Sequence, residues 1–479
     1  MSTTTATDTL SSPALPSRLR RLCAPSRRVI RDWDPEDTAA WEAGNKQVAR
    51  RNLLWSVATE HVGFSIWSVW SVMVLFMPPA VYGFTAADKF VLVALPTLVG
   101  AVLRVPYTMA TAWFGGRNWA IVSGFALLVP TVLTWWLMAN PGHSLAAFLV
   151  VAGLAGLGGG NFASSMTNIN AFFPQRMKGW ALGLNAGGGN IGVPVVQLVG
   201  LLVIATLGNR RPEVVCATYL VLLAVASVGA AVSMDNLDHR TADPKAMLEV
   251  LRHADSWAIS LLYVGTFGSF IGFGFAFGQV LDQTFLAGLT GGAAPTPAQA
   301  AAASLHAAQI AFVGPLLGSV SRVWGGRLAD RRGGAVVTVW TFVGMALAGV
   351  LVTVAAHSDD VTAGAATGLQ LAGLVGGFVL LFLLSGIGNG SVYTMIPALF
   401  EAKSAALPGA AVERTSWSRA MSGALIGIAG AIGGLGGVLI NLGLRTSYQG
   451  AGHSATAAFV VFTSFYVGAA VLTKVRYRR

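Results

Sequence analysis

Charge is what this chain has least of. Only 11% of its 479 residues are Asp, Glu, Lys or Arg, against 54% hydrophobic, where a soluble domain carries about a quarter charged residues. That shortage excludes an ordinary water-soluble enzyme or binding module. Cysteine is nearly absent: Cys23 lies in a basic amino-terminal stretch and Cys216 in an apolar run, which argues against a disulfide framework or a thiolate metal site. The alternation of a membrane barrel is missing too, because the apolar runs last about 20 residues without a two-residue period. The first 52 residues contain no apolar core followed by a small-residue cleavage site, so no secretory signal peptide is expected. No cofactor motif, metal-ligand cluster or nucleophile with a neighbouring base stands out, and Ser164 and Ser165 sit beside no membrane histidine. The chain is therefore not expected to be an enzyme, and neither a metal nor a cofactor is expected.

What remains is a glycine-rich, apolar chain, with 58 glycines and a mean hydropathy of +0.64. Only helices or closed barrels satisfy the backbone in lipid, so the composition predicts an all-α integral membrane protein. Apolar runs fall at 53–78, 90–113, 118–139, 144–173, 179–206 and 213–234, then at 256–285, 303–325, 334–356, 364–399, 420–444 and 456–474. Twelve transmembrane helices follow if each crosses once. They divide the chain into a basic segment 1–52, a six-helix half 53–234, a polar linker 235–255 and a second half 256–479 with a short tail. The linker carries Asp238, His239, Arg240, Asp243, Lys245 and Arg252, and an uncharged insert, 286–302, separates the seventh and eighth runs.

The net charge of +11 is topology information rather than a sign of nucleic acid. Arg18, Arg20, Arg21, Arg27, Arg28, Arg31, Lys46, Arg50 and Arg51 precede the first run, and Arg117, Arg176, Lys178, Arg327, Arg331 and Arg332 fall in later connections on the same side. The tail ends in Lys474, Arg476, Arg478 and Arg479. The positive-inside rule then puts both termini in the cytoplasm of a multi-pass plasma-membrane protein, although Arg210, Arg211 and Arg445 break the pattern. The amino-terminal tail, with SSPALPS and clustered arginines, is expected to be mobile and to meet anionic lipid.

Against this background two arginines stand out, Arg104 in GAVLRV of the second run and Arg322 in GSVSRV of the eighth. An arginine at the bilayer centre costs about 3 kcal/mol on insertion scales and usually faces a cavity or partner. Their matching surroundings suggest a duplicated unit. The fifth and eleventh runs match as well, GWALGLNAGGGN against GALIGIAGAIGG. In these, Gly179, Gly183 and Gly187, with Gly423 and Gly427 in the second, recur every four residues and are expected to form stripes for close helix packing. Two six-helix halves related by an axis along the membrane normal, with a site between them at mid-depth, describe a major facilitator transporter.

Polar residues inside these spans need partners: Asn161, Ser164, Ser165, Asn168 and Asn170 in the fourth, Asn185 and Asn190 in the fifth. No carboxylate is evident beside either arginine, so an anion is the natural ligand, and the guanidinium fork suits a planar oxyanion. The competing reading is an ion pair with Glu60 in the first run or Asp282 late in the seventh. Tyr263 and Phe267 share a helix face, and Phe162 follows Asn161; such rings could wall a small flat anion.

The stretches RVPYTMATAWFGGRNW (104–119), GGGNFASSMTNINAFFP (158–174), GWALGLNAGGGN (179–190), LLYVGTFGSFIGF (261–273) and GALIGIAGAIGG (423–434) resemble the nitrate/nitrite porters of the NarK type, a branch of the major facilitator superfamily. The likeness covers nearly all the chain after Arg51. It implies that Arg104 and Arg322 hold nitrate or nitrite from opposite sides, that Asn190 hydrogen-bonds it, and that Phe162, Tyr263 and Phe267 line the site. The segment GGRLADRRGG (325–334) also looks like the superfamily's cytoplasmic loop motif, with Asp330 and Arg331 in place. Its first-half counterpart is reduced to Gly116, Arg117, Asn118 and Trp119.

The mechanism expected is alternating access around one anion site. Two facing, desolvated arginines repel each other when the halves close without an anion, so exchange of nitrate for nitrite follows. Proton-coupled nitrate uptake is the rival, with Glu60 and His61 as the adjacent titratable pair. A membrane-embedded anion sensor is a reading from another class, and formate or chloride would suit the same charges. A monomer in the lipid bilayer is expected, without nucleic acid.

Overall fold

The computed structural model describes residues 29–238 and 244–477, apart from 292, 363, 364, 409 and 451. The basic residues of 1–28, Cys23, His239, Arg240, Asp243, Arg478 and Arg479 lie outside that range. The described residues are almost wholly helical. The first six long helices are α1 (Lys46–Met73), α2 (Ala86–Phe114), α3 (Gly116–Ala139), α4 (Leu145–Phe172), α5 (Gln175–Leu207) and α6 (Glu213–Ser233). The second six are α7 (Ala254–Thr290), α8 (Pro297–Arg332), α9 (Gly334–Asp360), α10 (Gly368–Ala405), α11 (Ala411–Gln449) and α12 (Thr456–Tyr477). Among the described residues, eleven of these are long and apolar enough to cross a membrane. The exception is α1, at 28 residues as long as the others, whose hydropathy is lowered by Glu60, His61, Ser56, Ser65, Ser68 and Ser71. Ser65, Ser68 and Ser71 are satisfied by backbone, as where Ser65 donates to the His61 and Gly192 carbonyls at 3.0 and 2.9 Å, whereas the Ser56 hydroxyl is buried without a partner. Outward faces carry side chains such as Trp113, Trp324 and Trp340, each more than 60% exposed, an apolar surface that lipid covers.

Within the bundle α7 is central: 83% of its apolar window is buried, against 28% for the peripheral α12. A π-helical turn, Val264–Gly268, widens α7 just after Tyr263, a feature that re-aims side chains where it occurs. The 286–302 stretch, read from sequence as an insert, is largely helix. The α7 helix runs on to Thr290, and α8 starts at Pro297 behind a capping box in which Thr296 and Gln299 satisfy each other's backbone N–H. An alanine run with a good cap extends a helix rather than looping out.

Glycines bring helices together, but not those of the expected stripes. A Cβ on Gly179, Gly183 or Gly423 would meet nothing within 4 Å, one on Gly187 only Val323 at 4.0 Å, and one on Gly427 only Thr108 at 3.6 Å. The close crossings lie elsewhere. A Cβ on Gly159 of α4 would sit 2.7 Å from the Gly100 Cα of α2, one on Gly158 would overlap the Gly63 carbonyl of α1, and one on Gly390 of α10 would overlap α8 at Gly326. The stripe faces the gap between the six-helix sets, so its four-residue period records clearance rather than contact. At the end of the bundle away from the chain termini the two sets do meet: Gln197 of α5 donates to the Gly274 carbonyl of α7 at 2.7 Å, and Phe90 stacks on Tyr448 at 5.3 Å.

At the termini-bearing end the amino-terminal segment is tied into the first set. Strand β1 (Val29–Ile30) pairs in parallel with β2 (Asn236–Leu237). Asp235 holds Arg51 at 2.6 Å and Asn52 at 3.1 Å, while Trp33 and Trp41 are buried against Phe172 and Phe173. The beginning of the 235–255 stretch is thus a pinned strand rather than free linker.

Candidate anion site

Arg104 projects from the middle of α2 and is 0% exposed; Arg322 projects from α8 at 7%. The two guanidiniums, one from each six-helix set, converge on the ring of Phe162, their Cζ atoms 4.8 and 5.7 Å from its centroid. Arg104 also lies 4.6 Å from the Phe267 ring and 5.7 Å from Trp67, and Arg322 lies 5.2 Å from Tyr393. Ring faces attract cations, which helps the bundle hold two like charges in its interior. Each fork is partly engaged. Arg104 Nη1 donates to the Gly430 carbonyl of α11 at 2.7 Å, and Arg322 Nη2 to the Tyr263 hydroxyl at 3.3 Å. Arg104 Nε and Nη2 and Arg322 Nη1 are buried without a hydrogen-bond partner.

The aromatic residues form a column. Phe267 stacks on Tyr263 at 5.1 Å and 4°, Tyr263 on Tyr393 at 4.5 Å and 17°, and Phe162 lies 6.4 Å from Phe267. The structure therefore brings Arg104, Arg322, Phe162, Tyr263 and Phe267 into one cluster. Asn190 is 0% exposed with both amide atoms unpartnered, so it does not hydrogen-bond to either arginine.

Tyr393 was missed by the sequence reading, although a signal for it exists. Gly160-Asn161 of α4 recurs as Gly388-Asn389 in α10, and one helical turn beyond each asparagine stand Ser165 and Tyr393. Trp67 of α1 was missed as well, with no periodicity to mark it among the tryptophans of that helix.

Of the two carboxylates considered as partners for the arginines, Glu60 comes near them, though without a direct ion pair. Glu60 is 0% exposed and within electrostatic reach of both Arg322 and Arg104. Its Oε2 accepts from Asn185 Nδ2 at 2.7 Å and from the Ser165 hydroxyl; Asn185 Nδ2 lies 2.7 Å from Ser165 Oγ as well. Its Oε1 has no partner. His61 does not join it, because consecutive helix residues point about 100° apart; its Nδ1 meets the Gly188 carbonyl at 3.0 Å. Asp282, the other carboxylate considered for the arginines, lies instead at the end of the bundle away from the termini, where it accepts from Ser304 at 3.1 Å and faces Lys89 of α2.

The chemistry on offer is that of a charged, ring-walled cage with free donors and no nucleophile aligned with a base. The family model of the Major Facilitator Superfamily matches residues 61–441. The nitrate/nitrite transporter NarU of Salmonella typhimurium is 34% identical over 473 residues, spanning 95% of this chain and 97% of that one. The probable nitrate/nitrite antiporter NarK2 of Thermus thermophilus is 30% identical over 78% of this chain and 84% of its own length. Among solved structures, the nucleoside transporter NupG superposes with a TM-score of 0.58 over 89% of this chain and 100% of that one, at 12% identity, a likeness of fold alone. With its helices arranged in this way and these relatives matched over most of its length, the chain belongs to the nitrate/nitrite porters of the NarK type within the major facilitator superfamily, a family of membrane transporters rather than enzymes.

Proposed function

We propose that the protein carries nitrate and nitrite across the plasma membrane as a monomer, exchanging one for the other by alternating access around Arg104 and Arg322. The observation that supports this is the convergence of two buried guanidiniums, one from each six-helix set, on a single ring with donors left over. A planar anion held there accepts from both forks at once, with Phe162 and the Phe267–Tyr263–Tyr393 column closing off its faces, and Asn190 supplies a further donor. An anion held by both forks ties the two six-helix sets together, so the loaded carrier closes more readily than the unloaded one. That favours exchange, the activity named for the Thermus thermophilus relative. Both termini face the cytoplasm, and the clearance at Gly179, Gly183 and Gly423 then describes a carrier open to that side.

Proton-coupled nitrate uptake is a second reading, favoured by one observation: Glu60 places a buried carboxyl group within electrostatic reach of both arginines. Proteoliposomes separate the two. Under exchange, vesicles preloaded with nitrite take up labelled nitrate several-fold faster than unloaded ones, and formate- or chloride-loaded vesicles do not. Equal rates in loaded and unloaded vesicles would sink exchange, and uptake driven by an imposed pH gradient alone would establish the proton-coupled reading.

A further inference from the structure

Glu60 is more than a bystander to the arginines. Its Oε2 is tethered by α4, through Ser165, and by α5, through Asn185, while Oε1 is left without a partner. The carboxylate lies hard against the α5 backbone, where a Cβ on Gly189 would overlap Oε1. A carboxyl group with one oxygen anchored and the other free keeps its place whether or not it carries a proton. We infer that Glu60 is the titrating third charge of the anion site: as a carboxylate it compensates the two guanidiniums when no anion is held, and it takes up a proton when an anion binds.

The argument is one of charge. Two guanidiniums and a carboxylate leave the cluster with one positive charge. A monoanion added to these would set two negative charges close to each other in an interior that screens poorly. The weaker-held group, Glu60, sheds its charge instead, by the balanced step of carboxylate plus solvent proton to carboxylic acid. The cluster then again carries one positive charge, with the anion in the carboxylate's electrostatic role. Proton and anion thereby promote each other's binding, and by linkage the two effects are equal.

Few other groups face Glu60. Arg104 from α2 and Arg322 from α8 do, with Tyr263 of α7 and Tyr393 of α10 beyond them on the arginines. The α4 helix contributes no titratable side chain, and α5 has Arg176 and Lys178 only in its first turn. The other titratable groups on α2 are Asp88, Lys89 and Tyr107; Arg117 opens α3; α6 carries Glu213, Cys216 and Tyr219; and Asp255 and Asp282 stand near the two ends of α7. None of these is among the electrostatic or hydrogen-bond partners of Glu60.

This inference rests on the proposed anion site but not on the coupling mode, since an exchanger and a symporter can both load anion and proton together. It is tested by calorimetric titration of nitrate into the purified full chain, in two buffers of different ionisation heat and across a series of pH values. The expected result is uptake of up to one proton per nitrate bound, and an affinity that tightens as pH falls by at most about tenfold per pH unit. Glu60→Gln should bind nitrate with no proton uptake and no pH dependence, and Glu60→Asp should restore both. Ser165→Ala, which removes one tether, should shift the pH profile without abolishing it. Nitrate binding by the unmodified chain without proton uptake at any pH overturns the inference and leaves the two-arginine site standing, as does proton uptake that persists in Glu60→Gln. Absence of nitrate binding by the unmodified chain at every pH overturns the site itself.

Discussion

Lysine in place of Arg104 or Arg322 will weaken nitrate binding by about a hundredfold, a loss of roughly 2–3 kcal/mol at 1.4 kcal/mol per decade. The charge survives the exchange, but the geometry does not. Arg104 spends one edge of its fork on the Gly430 carbonyl across the interface and keeps Nε and Nη2 without protein partners, so it can hold α11 and an anion together. An ammonium group has no such pair of edges, and its compact, strongly hydrated charge is a poorer match for the flanking faces of Phe162 and Phe267. Arg322→Lys removes the donor to Tyr263 and with it a link to the aromatic column. Binding and transport should fall together in both variants, and the Arg104 variant should also turn over more slowly at saturating nitrate, because its bond to α11 joins the moving sets. Calorimetry together with concentration-dependent uptake reads both effects; undiminished binding in both variants would refute recognition by the fork.

The second large effect concerns glycine, and it divides by helix face. Gly158→Val should cost about 3 kcal/mol or more and leave little folded protein, because its side chain would overlap the Gly63 carbonyl, a backbone atom that cannot step aside. Gly390→Val meets α8 backbone in the same way. Gly183→Val should instead fold with near-normal thermal stability, since nothing lies within 4 Å of its Cβ position, and yet transport poorly, because that clearance must close when the termini-bearing end shuts. Thermal-shift size-exclusion profiles beside vesicle uptake distinguish the classes. An equal loss of stability at Gly158 and Gly183 would restore the stripe as ordinary packing.

These contrasts show what was legible before any coordinates. Long apolar runs are a one-dimensional signal, so the spans and the two six-helix sets could be read directly, to within a few residues at most ends. The arginines were legible because a charge in hydrocarbon is rare, and Tyr263 with Phe267 because four residues make one helical turn. The stripe was read with the right period and the wrong meaning: periodicity reveals that residues share a face, but not whether that face touches a neighbour. The sequence offers Glu60 as a partner for the arginines and as a pair with His61, but nothing in it marks its hydrogen-bond partners Ser165 and Asn185, more than a hundred positions away. The π-helical turn in α7 has no compositional mark, so the closeness of Tyr263 to Tyr393 could not be foreseen.

The parallel pairing of Val29–Ile30 with Asn236–Leu237 bears on mechanics. Because Leu237 is fastened to the first set, while the short helix Pro244–Glu249 is fastened to the second through a hydrogen bond from Trp417 to Glu249 at 2.8 Å, the covalent leash between the sets is only the few residues between these anchors. At about 3.5 Å per residue, a chain of that length reaches at most roughly 20–25 Å. That length caps how far the two sets can part on this face, so lengthening or shortening the leash is a way to tune the stroke of the carrier without altering its site.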